Sequence, residues 1–229
     1  MMFTDRLYNH AKPIWDAYLE HPFVKGIGDG SLDLEKFKFF MEQDYLYLID
    51  YCRVFALGSV KATHLDTMTM FADLLHSTLN EEMELHRNYA ERLGIRREEL
   101  ENTKPSSTLL AYTSYMLNKA HQGAEAEVAA CVLACTWSYN VIGLALNEKE
   151  GASDHEFYGD WIKMYASDEF TELAEAMKKL MNELADGKPE REKAHLEEIF
   201  LHTSKLEYLF WDMSYHKKMW LENSDLLNS

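Results

Sequence analysis

The strongest constraint on this chain of 229 residues is a run of nineteen, Val128 to Leu146, without a formal charge. Such a run must be hidden on every side or placed in a bilayer. About 20 apolar residues cross the hydrocarbon layer of a membrane, so length permits either solution. The run contains Thr136, Ser138, Asn140 and Gly143, lacks basic flanks and stands alone. These features select a central helix buried all round in a soluble bundle, with no membrane partner. The remaining chain must then supply apolar faces to surround it.

The chain has only ten Gly and four Pro to interrupt long helices. Apolar periodicity and end signals predict helices over about 3–19, from a cap at Ser31 or Asp33 to about Ala62, and over Leu65–Leu93. Others are expected from Pro105 to about His121, over Ala124–Asn147, up to Tyr165, from Asp168 to about Asp186, and from Glu190 to about Leu221. Glu35 is placed to favour the first turn of its helix. The stretch His21–Gly30 reads as turn-rich. Gly94, Gly123, Gly151-Ala152 and Lys188-Pro189 separate the helices. No strand-period run and no internal repeat is found. One all-α domain over 1–229, a single-domain helical bundle, is the expectation.

Charge and cysteine usage narrow the partners. A formal net charge of −16 argues against nucleic acid and anionic membrane surfaces. The N-terminal MMFTDRLYNHAKPIW has no apolar core of signal-peptide type. Cys52, Cys131 and Cys135 form an odd set without a CxxC pair, which reads as reduced thiols in a cytoplasmic protein.

Helical projection places three ionisable groups at the centres of apolar faces. Phe37, Met41, Asp44, Leu48, Tyr51 and Phe55 share one stripe. Val128, Cys131, Val132, Cys135, Tyr139 and Ile142 share a second, and Leu196, Phe200, Thr203, Glu207, Phe210 and Ser214 a third. A buried carboxylate costs several kcal/mol unless it is paired or hydrogen-bonded. Singly, each group has a structural explanation: a Cys that packs as a small hydrophobe, or an acid paired with a Lys or Arg across the core. Together they suit a flat, nitrogen-bearing aromatic ligand. Tyr47, Tyr51 and Tyr139 supply rings for stacking, one carboxylate accepts from an amino group, and a second acid exchanges a proton with a ring nitrogen. A thiolate can attack an electron-poor ring carbon, helped when a nearby acid protonates the ring.

Metal and haem chemistry are the rivals. Di-iron bundles use paired Glu-x-x-His motifs. This chain has one, Glu192 to His195, within a charged run, and one Asp-x-x-His, Asp73 to His76. His10 or His21 could serve as a haem ligand, on weak evidence. No Gly-rich phosphate loop, zinc signature or serine elbow occurs.

The stretches His21–Leu32, Gln43–Tyr47, Arg53–Ala56, Cys135–Tyr139, Trp161–Tyr165 and Ser204–Trp211 resemble the TenA (thiaminase II) family, in the same order and over nearly the whole chain. The resemblance implies a haem-oxygenase-like helical fold without haem or other cofactor or metal, and a homotetramer. It implies hydrolysis of 4-amino-2-methylpyrimidine compounds at the ring-attached methylene carbon. Thiamine and 4-amino-5-aminomethyl-2-methylpyrimidine are the substrates, and 4-amino-5-hydroxymethyl-2-methylpyrimidine is the product for thiamine salvage. By position, Cys135 matches the nucleophile and Glu207 the acid that exchanges a proton with the ring. Asp44 matches the carboxylate that holds the ring nitrogen and exocyclic amine. Tyr139 and Tyr165 match substrate contacts, while Tyr47 and Tyr112 match positions lining the site, with Tyr47 placed to hydrogen-bond the thiol. Leu206 stands where many relatives have Tyr. A non-catalytic aminopyrimidine-binding or regulatory protein on the same scaffold is the alternative.

Overall fold

A computed structural model describes residues 2–221. The last eight residues of the expected 1–229 domain lie outside the described residues. At the centre stands α8, Glu125–Asn147, with 18 of its 23 residues buried. By length and composition this helix is apolar enough to cross a membrane. It is instead sheathed by the long helices α3 (Leu34–Lys61), α10 (Asp168–Ala185) and α11 (Glu190–His216), by α7 (Ser107–Gln122) and by the short α9 (Gly159–Tyr165). The first helix, α1 (Phe3–Glu20), closes the bundle against α10 and α11. All eighteen residues of the three projected stripes are buried. Periodicity thus orients the helices correctly.

Several elements depart from the sequence expectation, each for a local reason. The turn-rich stretch contains a helix, α2 (Pro22–Asp29). His21 caps it by accepting from the Phe23 N–H through Nδ1 at 3.1 Å, and Pro22 sits where a missing N–H costs nothing. At eight residues it is too short for a periodic signal to outweigh its glycines. A six-residue helix, α6 (Arg97–Asn102), follows Gly94. The segment after Gly151 is a 3₁₀ turn, Ala152–Asp154, and only then α9. The last helix stops at His216, five residues before the expected Leu221. Lys217 adopts a left-handed conformation (φ 49°), and Lys218 N–H bonds back to the Met213 carbonyl at 3.0 Å. The chain then turns, and the Trp220 indole N–H reaches the Pro105 carbonyl at 3.0 Å.

The expected helix 65–93 is continuous, but a π turn, Thr78–Glu82, divides it into α4 (Leu65–Ser77) and α5 (Met83–Arg92). Such one-turn insertions concentrate at functional sites. This one carries Thr78 and Glu82 towards the bundle interior.

Close approach of α8 and α9 depends on Gly143. A Cβ there would lie 2.5 Å from the Tyr165 carbonyl carbon, a backbone atom that cannot swing away. The contact seats Tyr165 against Tyr139, with ring centroids 4.7 Å apart. Gly143→Ala should therefore destabilise the protein by roughly 1–3 kcal/mol, the usual cost of overpacking. Thermal unfolding should show a midpoint several degrees lower. An unchanged midpoint would mean that the helices separate freely here.

Candidate active site

Six expected residues meet at one place. Asp44, Tyr47 and Tyr51 from α3, Cys135 and Tyr139 from α8, and Tyr165 from α9 line a cavity of about 50 Å³. Thr136 completes the inner wall, with its hydroxyl and that of Tyr51 3.1 Å apart. A second cavity of about 300 Å³ adjoins it, lined among others by Asp44, Glu82, His86 and Tyr165. Asp44, Glu82 and Tyr165 line both cavities and form the boundary between them.

Glu207 and Tyr112 are placed differently from expectation. Neither is on the cavity wall; both stand one side chain behind it. The Tyr139 hydroxyl, which does reach the cavity, donates to Glu207 Oε1 at 3.1 Å, and the Tyr112 hydroxyl donates to Oε2 at 2.7 Å. The Tyr47 hydroxyl donates to that of Tyr112 at 3.5 Å, and Tyr47 lines the same cavity as Cys135. The buried acid is thus connected to that cavity twice, through Tyr112 and Tyr47 and through Tyr139. Setting the carboxyl behind the wall lets each of its oxygens be satisfied by a tyrosine.

No cation balances these groups. Neither Asp44 nor Glu207 meets a Lys or Arg among the described residues, so the cross-core ion pair considered for each is not formed. Burial pushes Glu207 up to about 7, against the opposing pull of the two tyrosine hydroxyls. Burial first, and then the Glu207 charge, raises the Cys135 thiol well above its usual range, although the nearby Tyr47 hydroxyl works the other way. Asp44 is raised well above the carboxylate range by burial and by the charges of Glu82 and Glu207. The pocket favours neutral side chains.

His86, which no spacing in the sequence singles out, faces Asp44. Its Nε2 lies 2.8 Å from the Met41 carbonyl and must donate there, since a carbonyl only accepts. In the neutral ring Nδ1 is then bare, 3.5 Å from Asp44 Oδ2. Burial pushes His86 down to about 4. Both shifts favour the neutral forms, a protonated Asp44 carboxyl beside an uncharged imidazole. Glu82 was also missed. In sequence it sits within Asn-Glu-Glu and reads as solvated surface, and a π turn has no residue signature.

The rival ligand sets are engaged elsewhere. Glu192 pairs with Lys188 at 3.0 Å on the surface, and Asp73 and His76 are both exposed. His10 pairs with Glu197, and His21 caps α2. Among the described residues, no three His, Cys, Asp or Glu side chains gather in a metal-binding group.

Comparison with known proteins identifies the family and the fold. A family model described as TENA/THI-4/PQQC matches residues 8–217. A relative from Halalkalibacterium halodurans named aminopyrimidine aminohydrolase is 59% identical, over 97% of this chain and 100% of its own. The solved structure of a TenA homologue from P. horikoshii OT3 superposes with a TM-score of 0.87 at 31% identity, covering 94% of this chain and 99% of that one. A domain with a heme oxygenase-like fold from Shewanella denitrificans matches with a TM-score of 0.76 at 15% identity, covering 99% and 95%. That likeness is one of fold, and the haem-oxygenase-like bundle is the architecture of this chain.

The pKa of Glu207 has a consequence for stability. Below its ordinary 4.5 the group is protonated in folded and unfolded chains alike. As pH rises through about 7 the folded protein must ionise a buried carboxyl, and the stability this group contributed at low pH is lost. Glu207→Gln removes that loss. Its unfolding midpoint should exceed that of the unaltered protein by several degrees at pH 8, at about 1.4 kcal/mol for each unit of pKa shift. The difference should vanish near pH 4.5. A variant destabilised equally at both pH values would show that Glu207 is ionised without cost.

Proposed function

The chain belongs to the TENA/THI-4/PQQC family, and on that premise we propose that it is an aminopyrimidine aminohydrolase of thiamine salvage. It converts 4-amino-5-aminomethyl-2-methylpyrimidine and water to the 5-hydroxymethyl compound and ammonia, and thiamine to the same product and the thiazole alcohol. The observation that carries this reading is a buried acid, Glu207, joined through Tyr112 and Tyr47 and through Tyr139 to the cavity that Cys135 lines.

The proposed chemistry follows the protons. The ring binds with its exocyclic amine and a ring nitrogen at Asp44, whose far oxygen is held by His86. Tyr165 and Tyr139 flank the ring, and Tyr51 closes the inner wall. Glu207 delivers a proton to the ring through the Tyr139 hydroxyl, which makes the ring electrophilic. The Cys135 sulfur then adds to a ring carbon, and its proton passes through Tyr47 and Tyr112 back to Glu207. Loss of aromaticity drives the amine or thiazole off the methylene carbon. Water adds there and gives up one proton to the released ammonia or to solvent. The sulfur departs and regains its proton from Glu207, and the ring proton returns to Glu207 through Tyr139. A preformed thiolate is unnecessary, which suits a thiol held above its usual range.

A homotetramer in the cytoplasm belongs to the same reading. Leu65, Met68 and Leu79 are exposed along α4 and the following turn, apolar surface that self-association would cover. A cytoplasmic setting keeps Cys135 reduced.

Two variants test the mechanism. Cys135→Ser should abolish turnover of both substrates while still binding the hydroxymethyl product; undiminished hydrolysis would overturn the nucleophile. Tyr112→Phe breaks the link between thiol and acid and should lower kcat by roughly 10²–10⁴-fold, the range for general acid–base steps, with product affinity nearly unchanged. If the unaltered protein binds the product but hydrolyses neither substrate, it is a binding protein instead.

A further inference from the structure

Glu82 takes no part in the steps above, yet its position is unusual. Besides the two cavities at the site, a surface groove of about 820 Å³ runs between the π turn and α10. Among the described residues, Glu82 alone lines all three spaces. The inner cavity and the groove share Leu74, Thr78, Glu82, Phe170 and Leu173, so these residues form the neck between the Cys135 thiol and the outside. Apart from Glu82 the neck is apolar, with one hydroxyl.

Burial pushes the half-buried carboxyl of Glu82 up to about 7, with the nearby Thr78 hydroxyl working the other way. No Lys, Arg or His pairs with it among the described residues, and no Lys or Arg lines either the inner cavity or the groove. The groove beyond is rimmed by further acids, including Asp73, Glu81 and Glu169. A carboxylate enclosed in this way is costly until a cation reaches it.

The reaction brings such a cation. The arm on the methylene carbon is an ammonium in the aminomethyl compound and a thiazolium in thiamine; in the product it is a neutral alcohol. With the ring held at Asp44 and the inner end filled by Tyr47 and Tyr51, the departing arm points along the neck. We propose that Glu82 is a specificity-determining residue that reads the positive charge of the leaving arm, so that the site holds cationic substrates and releases the neutral product. This inference rests on the function proposed above and extends it to the class of leaving group: aminopyrimidines bearing a cationic arm.

The test compares charged and neutral arms. Glu82→Gln should raise KM for the aminomethyl compound and for thiamine by roughly 10- to 100-fold, the worth of a hydrogen bond to a charged group. The Kd of the hydroxymethyl product should change less than about twofold, and Glu82→Asp, which keeps the charge, should fall between. Equal weakening of substrate and product, or no weakening of either, would overturn the assignment. Should Glu82→Gln fail to fold, the preference can be read in Cys135→Ser, which keeps Glu82. There the aminomethyl compound should bind at least about tenfold more tightly than the alcohol, and equal affinities would overturn the proposal. Binding of neither aminopyrimidine to the unaltered protein would instead overturn the function itself.

Discussion

A helix without a solvent face can carry polar atoms only where other helices bring partners to them. That constraint on α8 organises the site. Asn140 Nδ2 donates to the Tyr165 carbonyl at 3.1 Å and to the Thr171 hydroxyl at 2.9 Å, tying down α9 and α10. Tyr139 finds Glu207 on α11, and Thr136 meets the Tyr51 hydroxyl of α3. Asn140, Tyr139 and Thr136 of the central helix therefore each fix a neighbour, while Ser138 turns back to the Cys135 carbonyl. Cys135 lines the cavity with a thiol that tolerates burial better than an amide or hydroxyl does.

The same enclosure sets the electrostatics. Thiols that react as preformed thiolates lie beside cations or at helix N-termini. Cys135 lies in the middle of α8, among tyrosines and acids. Every ionisable group around it is shifted towards its neutral form, so a charge created by moving a proton cannot persist unless another proton moves at nearly the same time. The phenols joining Cys135, Glu207 and the cavity meet that requirement. In this light the tyrosines do more than stack: each can pass one proton and receive another without becoming charged.

Much of this was legible in the sequence because the relevant signal is periodic. The uncharged run located the central helix, and the three stripes placed Asp44, Cys135 and Glu207 inward. Periodicity states that a residue faces the interior, but not what it meets there. Glu207 was read as touching a ligand and instead stands behind Tyr139, because depth along an inward direction is set by packing with α7 and α8. His86 lies 42 residues beyond Asp44 in the chain, and only the crossing of α3 and α5 brings them together. The helix α2 and the end of α11 depend on backbone capping at His21 and Lys217, which leaves little trace in hydrophobic pattern.

The π turn shows most clearly where sequence reasoning stops. It inserts into an otherwise regular helix without glycine or proline, and so carries no punctuation for a reader of residues. Its effect is to bring Thr78 and Glu82 to the neck of the site, within a segment whose composition suggests solvent. Placing a carboxylate there on a π turn, rather than on the wall formed by α3 and α8, separates two tasks. The wall recognises a ring common to substrate and product, through Asp44 and its His86 support. The neck faces the only part of the molecule that changes charge during the reaction. A site built solely to bind the ring would retain its product; an acid at the neck lets affinity fall when the cation departs.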